Sequence, residues 1–111
     1  MKILITGING LVGNSLYKLL QNSEHKLFFS SRNLDGLANY KVDISNKGEV
    51  DSFFISQKPD IVINCAAMAN VDLCEEEKEL CWKINVGGVK NLVDACMRHS
   101  THLTHISTWR L

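Results

Sequence analysis

The sequence predicts an α/β fold: a doubly wound parallel sheet of about five strands, in the order 3-2-1-4-5, with helices on both faces. Three observations point to it. An apolar run, Ile3-Leu4-Ile5, breaks at Thr6-Gly7 and gives way to a helix-period pattern in which Val12, Leu16, Leu19 and Leu20 share a face. Strand-like runs then alternate with helical patterns along the rest of the 111 residues, an order that implies parallel strands joined by right-handed crossovers. The run Ile61 to Cys65, IVINC, has the near-continuous apolar character of a strand covered on both faces.

Between the first strand and the first helix stand Gly7, Gly10 and Gly13, spaced Gly-x-x-Gly-x-x-Gly. Gly7 permits a sharp turn where a Cβ would be strained. Gly10 lets the backbone approach a pyrophosphate, and Gly13 lets the helix lie close to the sheet. The helix N-terminus offers unpaired N–H groups and a partial positive charge to phosphates. Strand, glycine turn and helix in this order predict a Rossmann-like dinucleotide site. The plainer alternative is a tight turn that only packs helix on strand.

The remaining elements follow in order. Gln21-Asn22-Ser23 ends the first helix, and Lys26 to Ser30 is the second strand. Ser31 to Asn39 is a polar loop containing Gly36, and Tyr40 to Ile44 is a short third strand. Asn46 and Glu49 fit a capping box, ahead of a helix with Val50, Phe53 and Phe54 on its apolar face. Pro59, the only proline, ends that helix. After the fourth strand, IVINC, comes a loop from Ala66 to Val71; Asp72 with Glu75 marks the next helix start. Its pattern runs to about Arg98, with a break expected near Glu77 and with Cys81, Ile84, Val89, Leu92, Val93, Cys96 and Met97 as buried candidates. Gly87-Gly88 lies inside it at a cost of about 1 kcal/mol each relative to Ala, which predicts close approach to the sheet or to a second helix. His102 to Ser107 is the fifth strand. The length suits one domain, residues 1–111, and no repeat, low-complexity segment or linker interrupts it.

Composition narrows the function. Lys plus Arg and Asp plus Glu number 12 each, so no basic excess points to nucleic acid. No apolar run is long enough to span a bilayer and the start lacks a signal-peptide core, so a cytoplasmic chain with no membrane partner is expected. Cys65, Cys74, Cys81 and Cys96 form no Cys-x-x-Cys pair and are expected to be reduced packing residues. His99, His102 and His105 repeat every three residues. On a strand the last two face opposite ways, so no metal site is expected.

A dinucleotide site for NAD usually carries Asp or Glu about 20 residues beyond the glycines, bound to the ribose 2′-OH. Here that region reads Ser30-Ser31-Arg32, with no carboxylate. A guanidinium beside hydroxyls suits a 2′-phosphate, so Ser31 and Arg32 favour NADP(H). The alternative is a solvated Arg32 and a site that also accepts NAD(H). Asp43 could accept a hydrogen bond from the adenine amino group, or could simply lead into the Asn46 cap.

In KILITGINGLVG, VDIS, PDIVINCAAMANVDLCEEE, INVGGVKNLVDAC and LTHIST the chain resembles the N-terminal part of the extended short-chain dehydrogenases/reductases, and most of all the dTDP-4-dehydrorhamnose reductase family. These stretches cover nearly the whole chain in the family's order. The resemblance implies that Asn9, Leu11 and Val12 join Gly7, Gly10 and Gly13 around the pyrophosphate, and that Asp43 and Ile44 meet the adenine. Cys65, Ala66 and Ala67 would lie along the cofactor ribose, and Asn85 near the nicotinamide. Thr108 would be the hydroxyl member of a Ser/Thr-Tyr-Lys catalytic set. The implied reaction is hydride transfer from NAD(P)H to the 4-keto carbon of a nucleotide-linked deoxysugar, with the tyrosine as proton donor.

The departures are as specific. The family continues after Ser-Thr with Asp-Tyr-Val-Phe, whereas here Trp109-Arg110-Leu111 follow, and no Tyr-x-x-x-Lys pair occurs in the chain. The expectation is therefore an incomplete nucleotide-binding domain, a fragment or a truncated product without the substrate-binding part, inactive by itself. Two other readings stand beside the reductase: a non-catalytic, nucleotide-binding regulatory subunit, and part of a nucleotide-sugar epimerase or dehydratase. The expected partners are a nucleotide-sugar substrate in the parent chain and a second copy in a homodimer.

Overall fold

The structure, a computed structural model, describes residues 1–66 and 71–106. Strands β1 (Lys2–Thr6), β2 (Lys26–Ser31), β3 (Tyr40–Lys41), β4 (Ile61–Asn64) and β5 (His102–His105) form one sheet in the order β3-β2-β1-β4-β5. Every pairing is parallel, with Ile3 opposite Leu27 on one side and Ile61 on the other. The helices are α1 (Leu11–Leu20), α2 (Lys47–Gln57), α3 (Val71–Glu76), α4 (Lys78–Trp82) and α5 (Val89–His99), with a π-helical segment, Lys83–Gly88, leading into α5.

Strand alternation sorts the apolar side chains onto two faces. Leu4, Phe28 and Val62 meet Val50, Phe53 and Phe54 of α2 and Leu92, Ala95 and Cys96 of α5. Phe28 stands edge-on to both Tyr40 and Phe53. Ile3, Ile5 and Phe29 face the other way, against Val12, Leu16, Tyr17 and Leu20 of α1. The fold is the Rossmann-like, doubly wound arrangement that the sequence predicts.

The structure departs from the sequence reading in several places. Leu19 is 78% exposed, although it lies within the apolar stripe of α1. Gly13 is the point of closest approach, since a Cβ there would meet the Gly7 carbonyl oxygen, and this swings the buried face toward Gly13 and Tyr17. On α5, Met97 is 77% and Val93 37% exposed, while Ala95 is buried. The face of α5 that packs on the sheet is the one carrying Leu92, Ala95 and Cys96, which turns Val93 and Met97 outward. Of the glycine pair, only Gly88 makes a close approach: a Cβ there would lie 2.5 Å from Ile44 Cγ1, whereas Gly87 faces open space.

β3 ends three residues early, at Lys41 rather than Ile44. The Asp43 carboxylate accepts hydrogen bonds from Ser45 N (3.0 Å) and Ser45 Oγ (2.6 Å), a local turn that competes with the ladder. Asn46 caps α2 by accepting from Glu49 N at 3.1 Å, but the Glu49 carboxylate binds Lys41 Nζ and Asp43 N instead of closing the box. Asp51 ties α2 to α5 through Arg98, with Lys47 on the same carboxylate. The hydrogen bonds from Lys47 and then Arg98 hold its pKa below the usual value.

Cys74 and Cys81 form a disulfide, against the expectation of reduced thiols. In one continuous helix these positions would stand about 10.5 Å apart along the axis. The break at Glu77 (φ −121°, ψ 61°) folds α4 back on α3 and brings the two Cα atoms to 5.3 Å. Cys65 and Cys96 are free and buried, and burial pushes both thiols up to about 11. The denatured, unreduced chain should therefore titrate two thiols, and the native chain should resist alkylation near neutral pH because little thiolate is present. Four titratable thiols without reductant would remove the disulfide from the fold.

Candidate functional site

The sheet order reverses between β1 and β4, and a cleft of about 180 Å³ opens beside their carboxyl ends. Its base is the glycine turn. Gly7 adopts φ +68°, and a Cβ there would lie 2.5 Å from Ala66 N, so the turn rests directly on the chain leaving β4. Gly10 N donates to Gly7 O at 3.1 Å and Ile8 N to Ser30 O at 3.1 Å, fixing the turn against β2. No side chain caps the N-terminus of α1, and its first turn carries no acidic residue, which leaves its N–H groups suited to an anion.

Three further segments complete the lining: Ser31 and Arg32 at the end of β2, Val42 to Ile44 after β3, and Cys65-Ala66 after β4, with Ile84 closing one side. Among the described residues Arg32 makes no ion pair or hydrogen bond, and it is exposed. Both side-chain contacts of Asp43 go to Oδ1, which leaves Oδ2 for an incoming donor. Ile44 is held from behind by Gly88 and by Asn91, whose Nδ2 donates to Ile44 O at 2.9 Å.

Of the residues singled out in the sequence, Gly7, Gly10, Ser31, Arg32, Asp43, Ile44, Cys65 and Ala66 come together at this cleft. Gly13 is buried beneath the turn, and Val12 packs on the sheet. Leu11 is 85% exposed at the start of α1. The Asn9 side chain turns to the loop after β2, bonding Asp35 and Leu37. Asn85 lies on the π-helical segment, where its Nδ2 donates to Cys81 Sγ at 3.3 Å. Ala67 and Thr108 lie outside the described residues.

Sequence reasoning missed the groups that hold the turn. Asn14 Nδ2 donates to the Asn9 (3.1 Å) and Gly10 (2.9 Å) carbonyls. The available signal was an amide one helical turn after Gly10. Thr6 Oγ1 donates to Asn64 Oδ1 at 2.5 Å, and Ala66 N donates to the same oxygen at 3.1 Å. Asn64 Nδ2 lies 3.0 Å from His105 Nδ1, so the buried amide links the ends of β1, β4 and β5. The one polar residue inside IVINC was the available signal.

The cleft fits a dinucleotide on its own chemistry: a backbone cradle that Cβ atoms would fill, a bare helix N-terminus, a free guanidinium and an open carboxylate oxygen. Among the described residues no group of three or more His, Cys, Asp or Glu is placed to hold a metal, and no helix is long and apolar enough to cross a membrane.

Comparison with known proteins agrees. The dTDP-4-dehydrorhamnose reductase of Aggregatibacter actinomycetemcomitans is 38% identical over 108 residues, 96% of this chain and 34% of that protein. The crystal structure of dTDP-4-dehydrorhamnose reductase from Bacillus anthracis in complex with NADP superposes with a TM-score of 0.78 at 30% identity, over 92% of this chain and 34% of that one. UDP-glucose 4-epimerase of Thermus thermophilus, in complex with NAD, superposes with a TM-score of 0.81 at 25% identity, over 93% of this chain and 36% of that one. The chain thus spans about a third of the length of these relatives. Residues 1–111 match the family described as RmlD substrate binding domain, and the chain belongs to that family.

Proposed function

We propose that this chain is the NADP(H)-binding part of a dTDP-4-dehydrorhamnose reductase-like enzyme, reducing a 4-keto nucleotide-linked deoxysugar, with NAD(H) as the weaker alternative cofactor. The observation that carries the reading is the convergence of the glycine turn, Ser31-Arg32 and Asp43 on one cleft from three separate parts of the sequence. The relatives named as dTDP-4-dehydrorhamnose reductases, one of them in complex with NADP, support the same reading. When bound, the cofactor supplies the hydride for a carbonyl carbon.

The chain's own residues bind and orient. The turn and the α1 N-terminus hold the pyrophosphate by backbone N–H groups. Arg32 and Ser31 take the 2′-phosphate, where a guanidinium offers paired donors as well as charge. Asp43 accepts from the adenine amino group, and Ile44 packs beside the base. Cys65, Ala66 and Ala67 line the ribose. Asn85 serves the nicotinamide side, and Thr108 supplies a hydroxyl near the reacting carbonyl.

Calorimetry is the test. The folded chain should bind NADPH weakly and NADH more weakly still. Arg32→Ala removes a charged hydrogen bond of about 1.5–3 kcal/mol, so NADPH affinity should fall roughly ten-fold or more while NADH affinity changes little. No heat with either cofactor at millimolar concentration would overturn the reading. Equal losses for both cofactors would show that Arg32 does not select between them.

A further inference from the structure

The side chain of Asn9 stands in the middle of the phosphate turn yet does no work there. Its Nδ2 donates to Asp35 O (3.1 Å) and to Asp35 Oδ1 (2.9 Å), and its Oδ1 accepts from Leu37 N at 2.8 Å. Between these partners sits Gly36, at φ +54°, with no room for a Cβ because Asn9 Oδ1 occupies that space. One amide therefore fastens the tip of the loop after β2 to the turn between β1 and α1.

That loop begins at Arg32, directly after Ser31 at the end of β2. Its far end is fixed to β2, with Asn39 N donating to Phe29 O at 2.8 Å and Phe29 N donating to Asn39 Oδ1 at 2.9 Å. Its tip is otherwise solvated: residues 32–36 are exposed, and Leu34 is 65% so. Only local turns, Asp35 N to Asn33 O and Ala38 N to Asp35 O, act within it. Ordering each loop residue costs about 1–2 kcal/mol, so three hydrogen bonds from one rigid amide matter to where Arg32 points. Asn9 also engages the Asp35 carboxylate. Freed from Asn9, that carboxylate is three residues from Arg32 and able to pair with it, cancelling the charge a 2′-phosphate would meet.

We propose that Asn9 is a positioning residue for cofactor discrimination: it docks the 35–37 segment on the phosphate turn, holding Arg32 toward the ribose and Asp35 away from it. The proposal rests on the dinucleotide reading above. It predicts that Asn9 acts on the 2′-phosphate through Arg32, although Asn9 stands on the pyrophosphate turn.

Equilibrium titration of NADPH and NADH into the chain, followed by nucleotide fluorescence, tests it. Asn9→Ala should lower NADPH affinity roughly ten-fold and NADH affinity less than about three-fold. In the double variant Asn9→Ala/Arg32→Ala, the ratio of the two affinities should match that of Arg32→Ala alone, because both changes remove one interaction. Gly36→Ala displaces the same amide from the loop side and should shift the ratio the same way. It replaces Asn9→Ala as the deciding variant if circular dichroism shows the latter unfolded. Equal losses for both cofactors, or losses additive with those of Arg32→Ala, overturn the role of Asn9 and leave the dinucleotide reading standing. An unaltered chain that binds neither cofactor overturns both.

Discussion

Gly7→Ala is expected to destabilise the chain by about 2–5 kcal/mol. Two costs combine. A non-glycine residue held at positive φ costs roughly 1–2 kcal/mol, and Gly7 sits at φ +68°. The added Cβ would also lie 2.5 Å from Ala66 N and 2.6 Å from the Cys65 carbonyl carbon, backbone atoms that cannot rotate aside. Overpacking of that kind costs about 1–3 kcal/mol more. Against a total of about 5–15 kcal/mol for an ordinary domain, the change takes a large share of the stability. Gly10→Ala is the contrast. Its Cβ would stand 3.4 Å from Gly7 O, an ordinary contact, so the chain should stay folded while the methyl group intrudes on the pyrophosphate. Urea midpoints beside cofactor titrations separate the two. A loss below about 1 kcal/mol for Gly7→Ala would mean that the turn and the Cys65-Ala66 chain do not meet as described.

The second large effect concerns turnover. The 111 residues contain no Tyr-x-x-x-Lys pair, the arrangement that the resemblance assigns to proton donation in the proposed reaction. A positioned general acid typically contributes about 10²–10⁴ in rate, and orientation of substrate adds to that. NADPH oxidation with a dTDP-4-keto-6-deoxysugar should therefore fall below detection for this chain. Turnover by the 111-residue chain at around 1 s⁻¹ or more, a typical enzyme rate, would show that another residue donates the proton. The assignment of Thr108 as one member of a three-residue set would then fall with it.

What the sequence determined by itself was the sheet and the place of the cleft. Period-two and period-3.6 patterns are local, so the strands and helices could be read from Ile3-Leu4-Ile5, IVINC and the α2 triad Val50, Phe53 and Phe54, and their alternation implied the parallel strand order. The glycine spacing located the turn between β1 and α1 for the same reason, since a turn off a strand is a backbone requirement. Tertiary structure decided which side chains serve that turn. Asn9, Asn14 and Asn64 are all short amides near the glycines or the strand ends, and nothing local says that one braces the 35–37 loop, one the turn carbonyls and one the ends of three strands. Hydrogen-bond partners up to 58 residues apart, as for Thr6 and Asn64, exist only once the parallel register sets the strand ends side by side. The exposure of Leu19, Val93 and Met97 was likewise a tertiary outcome, because close contact at Gly13 sets which face of α1 is covered and packing through Leu92, Ala95 and Cys96 sets that of α5. The Cys74–Cys81 pairing belongs with these, since the break at Glu77 turns a seven-residue spacing into a contact that a straight helix forbids.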